Sequence, residues 1–278
     1  MEEGGKSKRK ITLTEEKETL LVPLFSKACA DKENNPIIID HKASEILESI
    51  NYDFEGLSVP RQTMITLAMR AEKIDEYVQN YINWENNENP KVLHLGCGLD
   101  SRILRVGFNR GKWYDIDYPD VIELRRNFYD ETPYYRMVPS SVTSRDWLDK
   151  IELTEGPACI IAEGLFMYLK EKEIRDLFLD LQKRLPSSEI IFDAYSTLTA
   201  KGANRHPSIR KTGASIQWGI DNPREIETWG RGITLQDEWF FTESPKIASL
   251  EFWDSLLFKI MGLFNIAKRA HRILRFRL

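Results

Sequence analysis

Cysteine is scarce in this chain. Cys29, Cys97 and Cys159 are the three among 278 residues. They are widely spaced and odd in number, which excludes a disulfide framework and a cysteine-rich metal cluster. No metal is expected, and the usage fits a reducing, cytoplasmic setting. No apolar run reaches the length needed to cross a bilayer. The N-terminus lacks a signal-peptide core, and Met1 to Lys10 reads as a polar, basic, disordered tail. Positive charge is not in excess either. The 39 Lys and Arg face 43 Asp and Glu, a net charge of −4, which argues against a general nucleic-acid binder. There is no internal repeat. The length and 42% hydrophobic content suffice for one large domain with a sizeable core.

What the chain does have is a glycine turn in the right place. Lys91-Val92-Leu93-His94-Leu95-Gly96-Cys97-Gly98-Leu99-Asp100-Ser101-Arg102 reads as a buried strand that breaks at glycine and re-forms as a helix. Such a turn at a strand's carboxyl end is a natural floor for a nucleotide-like ligand. The spacing is Gly-x-Gly, with Arg102 about where a third glycine would fall. That departs from a pyrophosphate cradle and suits a ligand without phosphates. The next strand, Lys112 to Asp117, ends in acid, and Asp117 lies 19 residues after Gly98. An acid so placed accepts hydrogen bonds from ribose hydroxyls. Asp115 competes for that role from inside the strand, and Asp120 is the expected N-cap of a helix from Val121 to Asp130.

The remaining elements follow from periodicity. A helix starting near Thr14 runs to Ala30, with a kink or restart at Pro23. His41 to Ile50 and Pro60 to Tyr81 are further helices. Arg70 sits amid the apolar pattern of the last one. Buried there it needs an anionic partner; at the helix edge it reaches water. Strands are predicted at Tyr134 to Val138, Ala158 to Ala162 and Glu189 to Tyr195, with helices at Asp146 to Ile151 and Glu171 to Leu185. This alternation implies a parallel sheet with helices on both faces. Thr199 to Ile220 is polar, and reads as a lid or a helical insertion. Trp218 to Ile220 suggests a strand piece, Pro223 to Gly230 a short helix, and Gly232 to Phe241 another strand or turn. Glu251 to Ala267 is a late helix, and Arg272 to Leu278 alternates basic and apolar residues as an edge strand does. The last 20 residues carry six Lys or Arg and no acid. They read as that helix and strand, or as a membrane-surface or nucleic-acid patch.

Taken together, these motifs resemble those of the leucine carboxyl methyltransferase superfamily. Leu93 to Arg102 is similar to its signature, an N/H-L-G-x-G-L/M-D-T/S-R pattern that holds S-adenosylmethionine. Glu18 to Leu24 and Asn51 to Phe54 resemble its N-terminal lid. Asp115 to Ile122 resembles its second-strand motif, and Ile161 to Leu169 the one after strand four. The similarity runs from about Glu18 to the end and is closest to the branch of tetracenomycin-type polyketide O-methyltransferases.

The resemblance implies an α/β fold: a class I S-adenosylmethionine-dependent methyltransferase (Rossmann-like) sheet with helices on both faces, an N-terminal helical lid and a C-terminal insertion. Within a single domain, residues 1–12 would be tail, 13–84 lid, 90–195 cofactor-binding core, and 196–278 substrate-side insertion and terminal strands. It also implies roles. Gly96 and Gly98 would pass under the methionine portion of the cofactor, Asp117 would take the ribose hydroxyls, and Ser141 and Val142 would flank adenine. Some members carry an acid where Ser141 stands. Glu163 would meet the ammonium or sulfonium, and Arg70 the methionine carboxylate. Lys27 would reach that carboxylate or the substrate. The methyl would go to a hydroxyl or carboxyl oxygen of a small, polyketide-like metabolite. A protein carboxyl terminus is the rival acceptor, and a non-catalytic cofactor binder the rival class. A carboxylate acceptor needs no general base; for an alcohol or phenol, His206, Tyr195 and Asp193 are candidates, none assigned. No nucleic-acid or membrane partner is expected, and the sequence leaves the oligomeric state open.

Overall fold

The computed structural model describes residues 20–85, 87–152, 156–204 and 215–278. The tail at Met1 to Lys10, the helix start at Thr14 and the candidate base His206 lie outside these residues.

Among the described residues three α-helices come first: α1 (Leu21–Asp31), α2 (His41–Ser49) and α3 (Arg61–Ile82). Pro23 does not kink α1. It falls in the first turn, where a backbone N–H has no intrahelical acceptor to lose. Strands and helices then alternate through β1 (Lys91–Leu95), α4 (Arg102–Arg105), β2 (Lys112–Asp117), α5 (Pro119–Arg125), β3 (Tyr135–Pro139), α6 (Asp146–Lys150), β4 (Cys159–Ala162), α7 (Glu171–Arg184), β5 (Glu189–Tyr195) and α8 (Thr197–Ala203). The chain ends with β6 (Thr234–Phe240), α9 (Phe252–Gly262), α10 (Asn265–Lys268) and β7 (His271–Arg277).

The strands form one sheet in the order β3-β2-β1-β4-β5-β7-β6. Five are parallel, and β7 pairs antiparallel with both β5 and β6. This is the class I methyltransferase topology, so the sheet is mixed rather than wholly parallel. Strand residues alternate between two cores. Val92, Cys159 and Ile161 pack with α1 to α3 on one face. Leu93, Leu95, Ile160 and Ala162 pack with α6 and α7 on the other.

Several boundaries differ from expectation. β7 is an interior strand, with β6 at the edge. Its arginines mimicked an edge because the fold pairs them internally. Arg272 is fully buried, donates to the carbonyls of Ile220 and Asp221 at 2.6 and 3.0 Å, and lies 3.1 Å from Glu238. The late helix breaks after Gly262, a poor helix residue, and resumes at Asn265. Trp218 to Ile220 forms no strand, although Trp218 and Ile220 are buried. Asp120 is not an N-cap but lies in the first turn of α5, which starts at Pro119 and ends at Arg125.

Candidate active site

Chain order reverses on the two sides of β1, so the sheet's switch point lies at the carboxyl ends of β1 and β4. A cavity of about 570 Å³ opens there. Its floor is the turn Gly96 to Asp100, and its polar end holds Arg70, His94, Glu163 and Gly164. Leu20, Val22 and Leu24 roof it from the first helical segment, with Val59 and Pro60 beside them. Met167, Tyr168 and Tyr195 close the far side.

The turn is built by backbone geometry that only glycine adopts freely. Gly96 and Gly98 have φ of +65° and +50°. The Asp117 carboxylate, at the tip of β2, accepts from Gly98 N and Tyr118 N, each at 2.8 Å. Burial raises its pKa above the usual carboxylate value. Asp115 is ruled out as a ribose partner. It is fully buried, accepts from Trp113 Nε1 at 2.8 Å and Tyr135 Oη at 2.6 Å, and lies 2.5 Å from Arg125. Ser141 and Val142 follow β3 on the same sheet edge, where Ser140 N donates to the Asp117 carbonyl at 2.8 Å. Asp117, Ser141 and Val142 do not line the cavity; Gly98 is its wall on that side.

Arg70 is buried, not at a helix edge. Its Nε donates to Glu163 Oε1 and its Nη1 to Asp193 Oδ2, both at 2.9 Å. Nη2 has no hydrogen-bond partner among the described residues. It faces Gly164, where an added Cβ would stand 3.3 Å from it. Gly164 N donates to Asp193 Oδ1 at 2.6 Å. Glu163 also receives Arg102 Nη2 at 2.5 Å. Burial by itself would raise Glu163; the guanidinium charges of Arg102 and Arg70 outweigh it and hold the carboxyl at about 2.

Lys27 is paired with Asp100 in the turn, so α1 is tied directly to the floor beneath it. Sequence reasoning missed the rest of this network. Arg102 Nε donates to Asp75 Oδ1 at 2.6 Å, and its Nη1 lies 3.0 Å from Asp100. Arg105 donates to Asp75 Oδ2, Asp40 Oδ2 and Asp100 Oδ1, each at 2.7 Å. Asp40 caps α2, accepting from Ala43 N at 2.9 Å. One signal was available: Asp75, like Arg70, interrupts the apolar stripe of α3.

Of the three candidate bases, two are described. Asp193 is spent on Arg70, Gly164 N and His271, whose Nε2 lies 2.7 Å away. Burial would raise it, but Arg70 and His271 hold it well below the usual carboxylate range. The Tyr195 hydroxyl faces the opposite pressure: burial first, then the Asp193 charge, push its pKa up. Both favour the protonated phenol. No motif pointed to His271, which reaches Asp193 from β7.

The depressed carboxyls make folding acid-sensitive. A carboxyl whose folded pKa is lowered contributes stability above its unfolded pKa of about 4.3, lost as pH falls through the folded value. For Glu163 that window runs from about 4.5 down to about 2. Denaturant titrations should show stability declining through this window, with a shallower decline in Glu163→Gln. Equal slopes in the two proteins would mean the buried pairs do not form.

A family model for leucine carboxyl methyltransferase matches residues 21–182. The tetracenomycin polyketide synthesis O-methyltransferase TcmP of Streptomyces glaucescens is 36% identical over 267 residues, covering 96% of this chain and 98% of that protein. The S-adenosyl-L-methionine-dependent methyltransferase dpfgK of Gibberella zeae is 30% identical over 284 residues, covering 94% of this chain and 95% of that protein. Among solved structures, a DUF574 family protein from Streptomyces avermitilis is similar in fold, with a TM-score of 0.53 and 12% identity over 80% of this chain and 88% of that one. Motifs, topology and full-length similarity agree: the chain belongs to the leucine carboxyl methyltransferase family.

Proposed function

We propose that this chain is an S-adenosylmethionine-dependent O-methyltransferase acting on a small, polyketide-like metabolite. S-adenosylmethionine, when bound, supplies the methyl group as an electrophile on a cationic sulfonium. The observation that carries the reading is the polar end of the cavity. There a carboxylate, Glu163, stands beside a guanidinium whose Nη2 has no partner among the described residues. That pair is complementary to an amino acid's ammonium and carboxylate.

Around it, Gly96 and Gly98 leave room for the ligand to cross the turn. Asp117 offers its remaining lone pairs to ribose hydroxyls, and Ser141 and Val142 border the adenine side. Lys27, already tied to Asp100, approaches the carboxylate or the acceptor. The helices of residues 13–84 act as a lid on the 90–195 core, and residues 196–278 complete the acceptor side. The acceptor end is largely apolar, with Met167, Tyr168 and Tyr195 across from the lid. Such walls exclude water and hold the attacking oxygen in line with the methyl carbon. Glu163 and Asp193 are ion-paired and Tyr195 holds its proton, so these groups do not take one from the acceptor. An acceptor that arrives as an anion, a carboxylate or an acidic phenol, needs no base from them. The apolar walls favour a small molecule over a protein terminus. Among the described residues no helix is long and apolar enough to cross a membrane and the three cysteines are free; a cytoplasmic location fits both.

Calorimetric titration with S-adenosylmethionine tests the cofactor assignment. Asp117→Ala should lose roughly 1–3 kcal/mol of binding free energy, the value of hydrogen bonds to a charged acceptor. Unchanged affinity would remove Asp117 from the site. Transfer of a radiolabelled methyl to aromatic acids and phenols then tests the acceptor. A label released as methanol by alkali marks a methyl ester, and a resistant one an ether.

A further inference from the structure

The last two helices, α9 and α10, carry large apolar side chains on their exposed side. α9 turns Asp254, Ser255 and Phe258 inward, and Asp254 accepts from Arg61 Nε at 2.7 Å. Its outward side presents Trp253, Leu256, Leu257 and Ile260, continued by Leu263 and Phe264. Trp253, Leu256, Leu257 and Ile260 recur at helical spacing, and Leu263 and Phe264 extend the patch into the break between α9 and α10. Trp253 is 76% and Leu263 80% exposed. The exposed side of a surface helix is ordinarily polar, so this apolar one calls for a cover.

From the sizes of these side chains and the apolar residues flanking them, roughly 900 Å² of apolar surface lies open. A monomer's largest patch is commonly about 300–600 Å². A stable complex takes about 800 Å² from each partner. We propose that this face is covered by the same face of a second copy of the chain, as a two-fold dimer. Charge favours that occupant. Glu251, 3.6 Å from Arg61 and still largely exposed, precedes α9, whereas the exposed Lys259 and Arg269 lie toward the other end of the patch. A two-fold axis across the middle of α9 runs the paired helices antiparallel, so each acidic start meets a basic end. An anionic lipid surface would instead meet Glu251 and a chain of net charge −4. The dimer also braces the active site from outside, because Arg61, which holds Asp254, directly follows the roof residue Pro60.

Size-exclusion chromatography with light scattering on the full chain tests this. The expected mass is twice the 32.4 kDa of one chain, falling on dilution. Leu263→Glu and Trp253→Glu should run as single chains with unchanged cofactor affinity. Leu257→Cys, near the middle of α9, should form a disulfide between two copies under mild oxidation, which reads the interface without disrupting it. A wild-type chain of single mass at micromolar concentration overturns the proposal. So does a single-mass chain that sediments with phosphatidylserine vesicles, which would make the face a membrane surface. A chain that dimerises only after residues 1–19 are removed overturns it too, since its own N-terminus would be the cover.

Discussion

Replacing Arg102 with methionine should cost about 3–5 kcal/mol of folding stability, the range for removing one partner of a buried ion pair. The side chain is fully buried and is the link between α3, the glycine turn and β4 through Asp75, Asp100 and Glu163. Methionine fills a similar volume but leaves three carboxylates facing one another without their shared cation. Arg102→Lys should recover little, because an ammonium is a point charge and cannot span partners on three sides as the planar fork does. Urea denaturation measures the loss. A cost under about 1 kcal/mol, the value of an exposed pair, would mean the network opens to water and does not set the turn.

Arg70→Met should weaken S-adenosylmethionine binding by about 3 kcal/mol, roughly 100-fold. Nη2 is the donor not committed to Glu163 or Asp193, and it stands beside Gly164, which lines the cavity with Arg70. Decarboxylated S-adenosylmethionine has no carboxylate to lose, so its affinity should fall much less. The comparison matters because the substitution also unpairs Asp193 and Glu163, and general loosening would weaken both ligands alike. Equal losses in calorimetric titration would therefore make Arg70 a structural residue.

Strand-helix alternation was legible because β1, β4 and β5 are built on short apolar runs, and β5 falls on the residues read from the sequence. The turn was legible because its glycines sit at a strand's end. Less so were the charged residues. Arg70 was ambiguous: an arginine in an apolar stripe looks the same whether it meets water or a carboxylate 93 residues away. Asp193 was a candidate base until the fold surrounded it with three donors. β7 looked like an edge because the partners of Arg272 come from the Ile220 to Asp221 loop and from β6. Asp40, Asp75 and Arg105 carry no motif signal of their own, since each owes its place in the site to its partners.

By itself, then, the sequence determined the local elements and the family, because periodicity, glycine placement and motif spacing are properties of neighbouring residues. Tertiary structure alone decided which charges neutralise one another, which strand is covered, and which guanidinium nitrogen has no hydrogen-bond partner among the described residues. Those are pairings between residues far apart in the chain, and a buried charge declares its partner only once the chain has folded around it.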